Sequence, residues 1–174
     1  MSREKILAFI VGSVVGIFCL MWFTTPRFQE VDLSKKHLRN GDPAPDFSLP
    51  SVFDGKMISL SDFRNSKSVL LYFWASWCPS CLEARPQIKA IREKIPMDRL
   101  EIIAINIGAG DTPESVRKFE KLHPLNVPVL FDRGGKVSLS YGVQGVPFFI
   151  IITPDGKIVY QGHELPQEIE RYLM

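Results

Sequence analysis

Cysteine is scarce in this 174-residue chain: Cys78 and Cys81 stand three positions apart, and Cys19 stands alone. A structural zinc site needs four ligands, yet neither a second cysteine pair nor a spaced histidine pair follows. His37, His123 and His163 are scattered, so no metal site and no cofactor is expected. Dense Lys/Arg runs are missing too, and a net charge of +2 leaves no footprint for nucleic acid. Internal repeats and low-complexity segments are absent. Charge disappears altogether between Ile6 and Phe23, an 18-residue run preceded by Arg3 and Lys5. As a helix that run spans roughly 27 Å, enough for a bilayer core. It is long for the apolar part of a cleaved signal peptide, and Trp22-Phe23-Thr24-Thr25-Pro26 is no small-x-small cleavage site. The expectation is an uncleaved transmembrane signal anchor. Within it Cys19 counts as a small hydrophobe. The bulky Ile17 and Phe18 before it argue against an acylation signal.

What the chain does have is Val69-Leu-Leu-Tyr-Phe-Trp-Ala-Ser-Trp-Cys-Pro-Ser-Cys81. Val69 to Trp74 reads as a buried strand. From Leu82 the apolar residues Leu82, Ile88, Ile91 and Ile95 recur at helical spacing, so a helix starts around Cys78. Pro79 suits that start, where the backbone N–H has no intrahelical partner. A thiol at a helix N-terminus faces the positive end of the macrodipole and unpaired N–H donors. Both favour the thiolate, the form that attacks disulfides. Cys81, one turn inward, is within reach of a disulfide with Cys78. The pair reads as a redox switch in which Cys78 attacks and Cys81 resolves. A purely structural disulfide is the rival, weakened because so short a loop gains little unfolded-state entropy.

The remaining segments follow in order. Residues 1–5 form a short tail, 6–23 the anchor, 24–40 a polar linker and 41–174 one folded domain. Between Phe47 and Leu60 two β-like runs flank Asp54-Gly55, a hairpin signal. Leu100 to Ile107 is a second buried strand. Thr112 and Pro113 cap and open a helix through Phe119 and Leu122. Val127–Phe131, Phe148–Ile152 and Ile158–Tyr160 are short strands, and a last helix is expected over Pro166–Leu173. Strands alternating with helices give a mixed α/β layer architecture.

Phe73-Trp-Ala-Ser-Trp-Cys-Pro-Ser-Cys81 resembles the active-site segment of the thioredoxin superfamily. Gly41-Asp-Pro-Ala-Pro-Asp-Phe-Ser-Leu49, Asp54-Gly-Lys and Leu60-Ser-Asp-Phe63 are similar to its membrane-tethered TlpA/ResA/DsbE (CcmG) branch. Gly142-Val-Gln-Gly-Val-Pro-Phe-Phe-Ile150 and Pro154-Asp-Gly-Lys157 resemble the family's cis-proline loop and last hairpin. The resemblance runs from about Gly41 onward. It implies a thioredoxin-like fold, a central mixed sheet flanked by helices, with an N-terminal β-hairpin extension. It also implies that Pro147 is cis beside the sulfurs and that Val146 offers its backbone to an extended client segment. Trp77 and Pro79 would complete the substrate-binding surface around catalytic Cys78 and Cys81.

Three departures stand out. Phe148 replaces a residue that is often polar, which points to a more apolar docking surface. Tyr72 stands where many thioredoxins carry a buried Asp, and Ala84 where the branch often carries Glu. Glu83 is the candidate proton acceptor in their place, or else a solvated surface acid, since one residue turns it about 100° around the helix. The resemblance and the redox pair together imply a bacterial inner-membrane protein with its domain on the periplasmic side. Flanking charge does not decide orientation, because Arg27, Lys35, Lys36 and Arg39 follow the anchor as Arg3 and Lys5 precede it. The implied function is reduction of client disulfides, for example in cytochrome c maturation, with electrons from a transmembrane donor protein. A disulfide oxidase or isomerase, or a non-catalytic copper-handling or docking module, is the alternative. A peroxidase is disfavoured, since peroxiredoxins centre on a different cysteine context.

Overall fold

The computed structural model describes residues 38–173. The anchor expected at Ile6–Phe23 lies outside the described residues, as does most of the linker. Among the described residues no helix is long and apolar enough to cross a membrane.

The molecule is built outward from two strands with no exposed face. In β3 (Ser68–Trp74) and β4 (Leu100–Asn106) every residue is buried. They pair in parallel, with Leu71 opposite Ile103 and Trp74 opposite Asn106. Strands covered on both sides read as continuous apolar runs, which is why both were legible. Around them the sheet runs β5-β4-β3-β6-β7, with β5 (Val129–Phe131) parallel to β4. β6 (Phe148–Ile152) and β7 (Ile158–Gly162) join antiparallel on the other side.

Strand alternation divides the core in two. Leu70, Tyr72 and Trp74 point to the face that holds Cys78, Cys81, Ile88 and Val116. Val69, Leu71 and Phe73 point to the other, with Phe47, Leu60, Tyr141 and Ile150. The first face is covered by α1 (Pro79–Lys94) and α2 (Pro113–Leu122), whose buried residues include Ile88 and Val116. Each fully buried Leu, Ile or Phe of these strands contributes roughly 1.5–3 kcal/mol.

The expected hairpin is present as β1 (Ser48–Pro50) and β2 (Met57–Ser59), antiparallel. It lies beside β5: Ser51 bridges Leu130, and the Val52 N–H reaches the Val129 carbonyl at 2.9 Å. That cover protects an edge that would otherwise offer unpaired backbone. Three elements differ from expectation, the first being a 3₁₀ turn over Leu60–Phe63 directly after the hairpin. A short helix, α3 (Lys136–Ser140), follows the left-handed Gly135 and is too brief to show periodicity. The last helix is reduced to a single 3₁₀ turn, Ile169–Tyr172, which buries only Ile169.

Gly108 explains the path that leaves β4. Its φ is +70°, and a Cβ there would meet the Asp132 carbonyl oxygen at 2.5 Å. Gly134 also has positive φ, +79°, but open space around it. Gly134→Ala should therefore cost about 1–2 kcal/mol from backbone strain alone. Gly108→Ala should cost clearly more, because backbone must move. Guanidinium unfolding of the two variants checks the order; equal midpoints would contradict it.

Candidate active site

β3 ends at Trp74, and within four residues the chain turns into α1 with Cys78 as its N-cap. Cys78 has extended backbone, φ −94° and ψ 108°, and its sulfur accepts the Cys81 N–H at 3.1 Å. Pro79 takes the first helical position, as the sequence indicates. Cys78 and Cys81 form a disulfide across a Cα–Cα distance of 5.2 Å. Cys78 is 5% exposed and Cys81 1%. The outer sulfur is thus less open than a freely accessible thiol, though it remains the one nearer solvent.

Facing the sulfurs is the loop before β6. The Val146–Pro147 peptide is cis, and the Val146 carbonyl oxygen lies 3.5 Å from the Cys78 sulfur. Pro147 is buried and Val146 half-buried. Between this loop, the start of α1 and the segment after β7 runs a groove of about 620 Å³. Ser80, Glu83, Ala84, Val146, Pro147 and His163 line it among others. Glu83 is exposed at this groove, whereas Cys81, Arg85 and Ile88 are the residues α1 buries. His163 is 2.8 Å from the Pro147 carbonyl, so its Nδ1 carries the hydrogen, and its ring meets Phe148 edge-on. Among the described residues no cluster of His, Cys, Asp and Glu could hold a metal.

Trp77 borders the cysteines on the open side, 57% exposed, its indole N–H bonded to the Ala109 carbonyl at 2.6 Å. The turn that carries it is held by Asp111. That carboxylate accepts the Ser76 N–H at 2.8 Å, the Ser76 hydroxyl, the Asn106 amide at 2.7 Å and the Ser115 hydroxyl at 3.2 Å. Partial burial opposes its ionisation, but the bonds from Ser76, Asn106 and Ser115 prevail and hold the carboxyl below the ordinary range.

Behind the disulfide the site is closed and charged. The Tyr72 hydroxyl donates to the Cys81 carbonyl at 2.8 Å, and burial pushes its pKa far above the usual value. Arg85 Nη2 lies 2.6 Å from Glu120 Oε1 and 2.6 Å from the His123 carbonyl. Both side chains of this ion pair are almost wholly buried. Burial pushes the Glu120 carboxyl up, against the bonds from Arg85 and Leu125.

The sequence model of the AhpC/TSA family matches residues 40–161, which takes in the hairpin, the cysteine pair and the cis-proline loop. The chain belongs to that family. Thiol-disulfide oxidoreductase ResA of Bacillus thuringiensis subsp. konkukian is 32% identical over 98% of this chain and 92% of the relative. ResA of Bacillus subtilis is 30% identical over 91% and 86%. Among solved structures, a thiol:disulfide interchange protein DsbE of Chlorobium tepidum superposes with a TM-score of 0.69 at 32% identity. That match covers 78% of this chain and 95% of the other. The fold is thioredoxin-like, and the chain is a thiol–disulfide oxidoreductase, as the resemblance implied.

The structure brings Cys78, Cys81, Val146 and Pro147 together, with Trp77, Pro79 and Glu83 around them. Sequence reasoning missed Asp111, Arg85, Glu120 and His163. One signal was available: Arg85 sits four residues after Cys81 and three before Ile88, on a face that should be apolar.

The Asp111 clamp has a definite pH signature. A carboxyl whose folded pKa is depressed adds stability above its unfolded value, near 3.9, which is lost as pH falls through the folded one. Asp111→Asn should lower the melting temperature by about 4 °C or more at pH 7, with the gap to wild type narrowing only as pH falls below about 4. Melting curves across that range check it. A gap that stays constant with pH would refute the assignment.

Proposed function

We propose that this chain is a membrane-anchored, extracytoplasmic reductant of specific client disulfides, working through Cys78 and Cys81. The observation that carries the reading is the disulfide at the α1 N-cap, with the Cys78 sulfur 3.5 Å from the carbonyl of Val146, which itself lines the adjoining groove. In the reduced protein the Cys78 thiolate, stabilised by the N–H groups of the first turn, attacks one sulfur of a client disulfide. The client's other sulfur leaves as thiolate. Cys81 then attacks the Cys78 sulfur, the Cys78–Cys81 bond forms, and the second client sulfur leaves. Two electrons have moved to the client, and a transmembrane donor protein must return them.

Val146 binds the client backbone in this reading, Pro147 and Pro79 shape the approach, and Trp77 covers the sulfurs. Phe148 makes the docking surface more apolar. Glu83, on the groove, remains the candidate proton acceptor. Apocytochromes c are an example of the clients that the resemblance to the TlpA/ResA/DsbE branch implies. The anchor rests on the uncharged run Ile6–Phe23, and the match to the Bacillus thuringiensis relative extends over 98% of the chain. The domain boundaries proposed are anchor 6–23, linker 24–40 and thioredoxin-like domain 41–174.

The test is trapping in cells with Cys81→Ala, which strands the client on Cys78. Mixed disulfides with a small set of extracytoplasmic proteins, recovered from the membrane fraction at full length, are expected. Soluble protein starting near Thr24 would overturn the anchor. Peroxide turnover, or stoichiometric copper binding with no disulfide exchange, would overturn the reductase. A couple as oxidising as a general disulfide oxidase, near −120 mV, would reverse the direction.

A further inference from the structure

The helix face that carries Cys81 carries a cation one turn further on. Cys81, Arg85 and Ile88 are the residues that α1 buries. Positions four apart share a face, with Cβ atoms about 5–6 Å apart. Long helical side chains lean back toward the N-terminus, the direction in which Cys81 lies from Arg85. The guanidinium lies 5.2 Å from the Trp74 ring and 5.3 Å from the Phe119 ring, closed off from water. Only Nη2 is bonded; Nε and Nη1 are buried without a partner.

As a fastener this is a poor device. Burying a charge with donors left empty is costly, and apolar residues of similar volume hold a core at least as well. The arrangement makes sense if the charge acts on something nearby that becomes negative. Tyr72 lies between them: its hydroxyl donates to the Cys81 carbonyl at 2.8 Å, and on that hydroxyl Arg85 and Glu120 act in opposite directions. The disulfide is neutral. Besides the Glu120 carboxylate already paired with Arg85, the charge that arises on this buried side during the reaction is that of the Cys81 thiolate.

We propose that the buried Arg85–Glu120 pair governs the resolving sulfur: Arg85 favours the Cys81 thiolate, and Glu120 limits how much of that charge Cys81 feels. The inference rests on the oxidoreductase reading above. In the step concerned, the Cys81 thiol first gives up its proton. Its thiolate attacks the Cys78 sulfur of the mixed disulfide, the Cys78–Cys81 bond forms, and the bond from Cys78 to the client breaks. The client thiolate leaves with the electron pair and takes up a proton. Arg85 and Glu120 are positioning residues, neither touching the client. The other titratable groups around Cys81 are Tyr72 on β3, Cys78 on α1, His123 at the end of α2, and Glu83 and His163 at the groove. None of these is a fixed cation on the buried side.

The test uses the full chain with Cys19→Ala, reduced, and the chromogenic aryl disulfide dithiobis(nitrobenzoate). Attack by Cys78 releases one nitrobenzoate thiolate in a phase that scales with reagent. Resolution by Cys81 releases the second in a phase that does not. The midpoint of that second phase against pH reports Cys81. Arg85→Met should raise the midpoint by about one pH unit or more and slow resolution near neutrality about tenfold. Arg85→Lys should stay close to wild type. Glu120→Gln, leaving the cation unopposed, should move the midpoint down. Should the single variants not fold, the double variant Arg85→Met/Glu120→Leu replaces the pair with apolar volume, and it should keep the raised midpoint. An unmoved midpoint in Arg85→Met or in the double variant would overturn the proposal. So would a shift of Arg85→Met and Glu120→Gln in the same direction, the mark of mere loosening. If wild type lacks the reagent-independent phase, the oxidoreductase reading itself fails, and the inference with it.

Discussion

One backbone N–H aimed at one sulfur sets the terms for this site. The Cys81 amide reaches the Cys78 sulfur at 3.1 Å because Cys78 occupies the N-cap, where a side chain is expected to accept from the first turn. Ordinarily Ser, Thr, Asp or Asn fills that place. A cysteine there satisfies the same donor while acquiring the positive end of the helix dipole. The helix cannot slide away from this arrangement, because β3 before it is buried on both faces and α1 packs back on the same sheet through Ile88. Capping and chemistry are thus a single contact.

The two sides of that contact differ in kind. Toward solvent, the cis-proline loop, Trp77 and the groove leave room for an extended chain. Toward the core, Tyr72, Arg85 and Glu120 fill the space with polar groups that water does not reach. Fields are weakly screened there, so a buried charge acts over a longer range than an exposed one such as Glu83. The open side suits recognition of a client, and the closed side suits control of the inner sulfur. Asp111 joins the two by fixing Ser76, immediately before Trp77, to the start of α2.

Most of the fold could be read from local pattern, and the reasons are physical. Val69–Trp74 and Leu100–Ile107 are apolar without interruption because their strands are covered twice. Thr112-Pro113 announced α2, and Asp54-Gly55 the hairpin, because caps and turns rest on single-residue conformational preferences. Cys78, Cys81 and the Val146–Pro147 loop were legible as a motif. The short helix Lys136–Ser140 and the lone turn Ile169–Tyr172 were not, since neither is long enough to establish a period. The buried ion pair escaped for a different reason. Arg85 and Glu120 lie 35 residues apart, and each alone resembles a solvated surface charge. Only the packing of α1 against α2 brings them together. The same holds for Asp111, whose partners come from three separate stretches of the chain.

The central claim is that the helix start, and not general exposure, makes Cys78 the attacking thiol. Mass-resolved alkylation of the reduced full-length protein across a pH series measures it directly. Cys78 is predicted to be modified first and to titrate well below pH 8, with Cys81 protected at those pH values. Modification of Cys81 ahead of Cys78, or a Cys78 midpoint near the ordinary thiol value of about 8.5, would contradict the account.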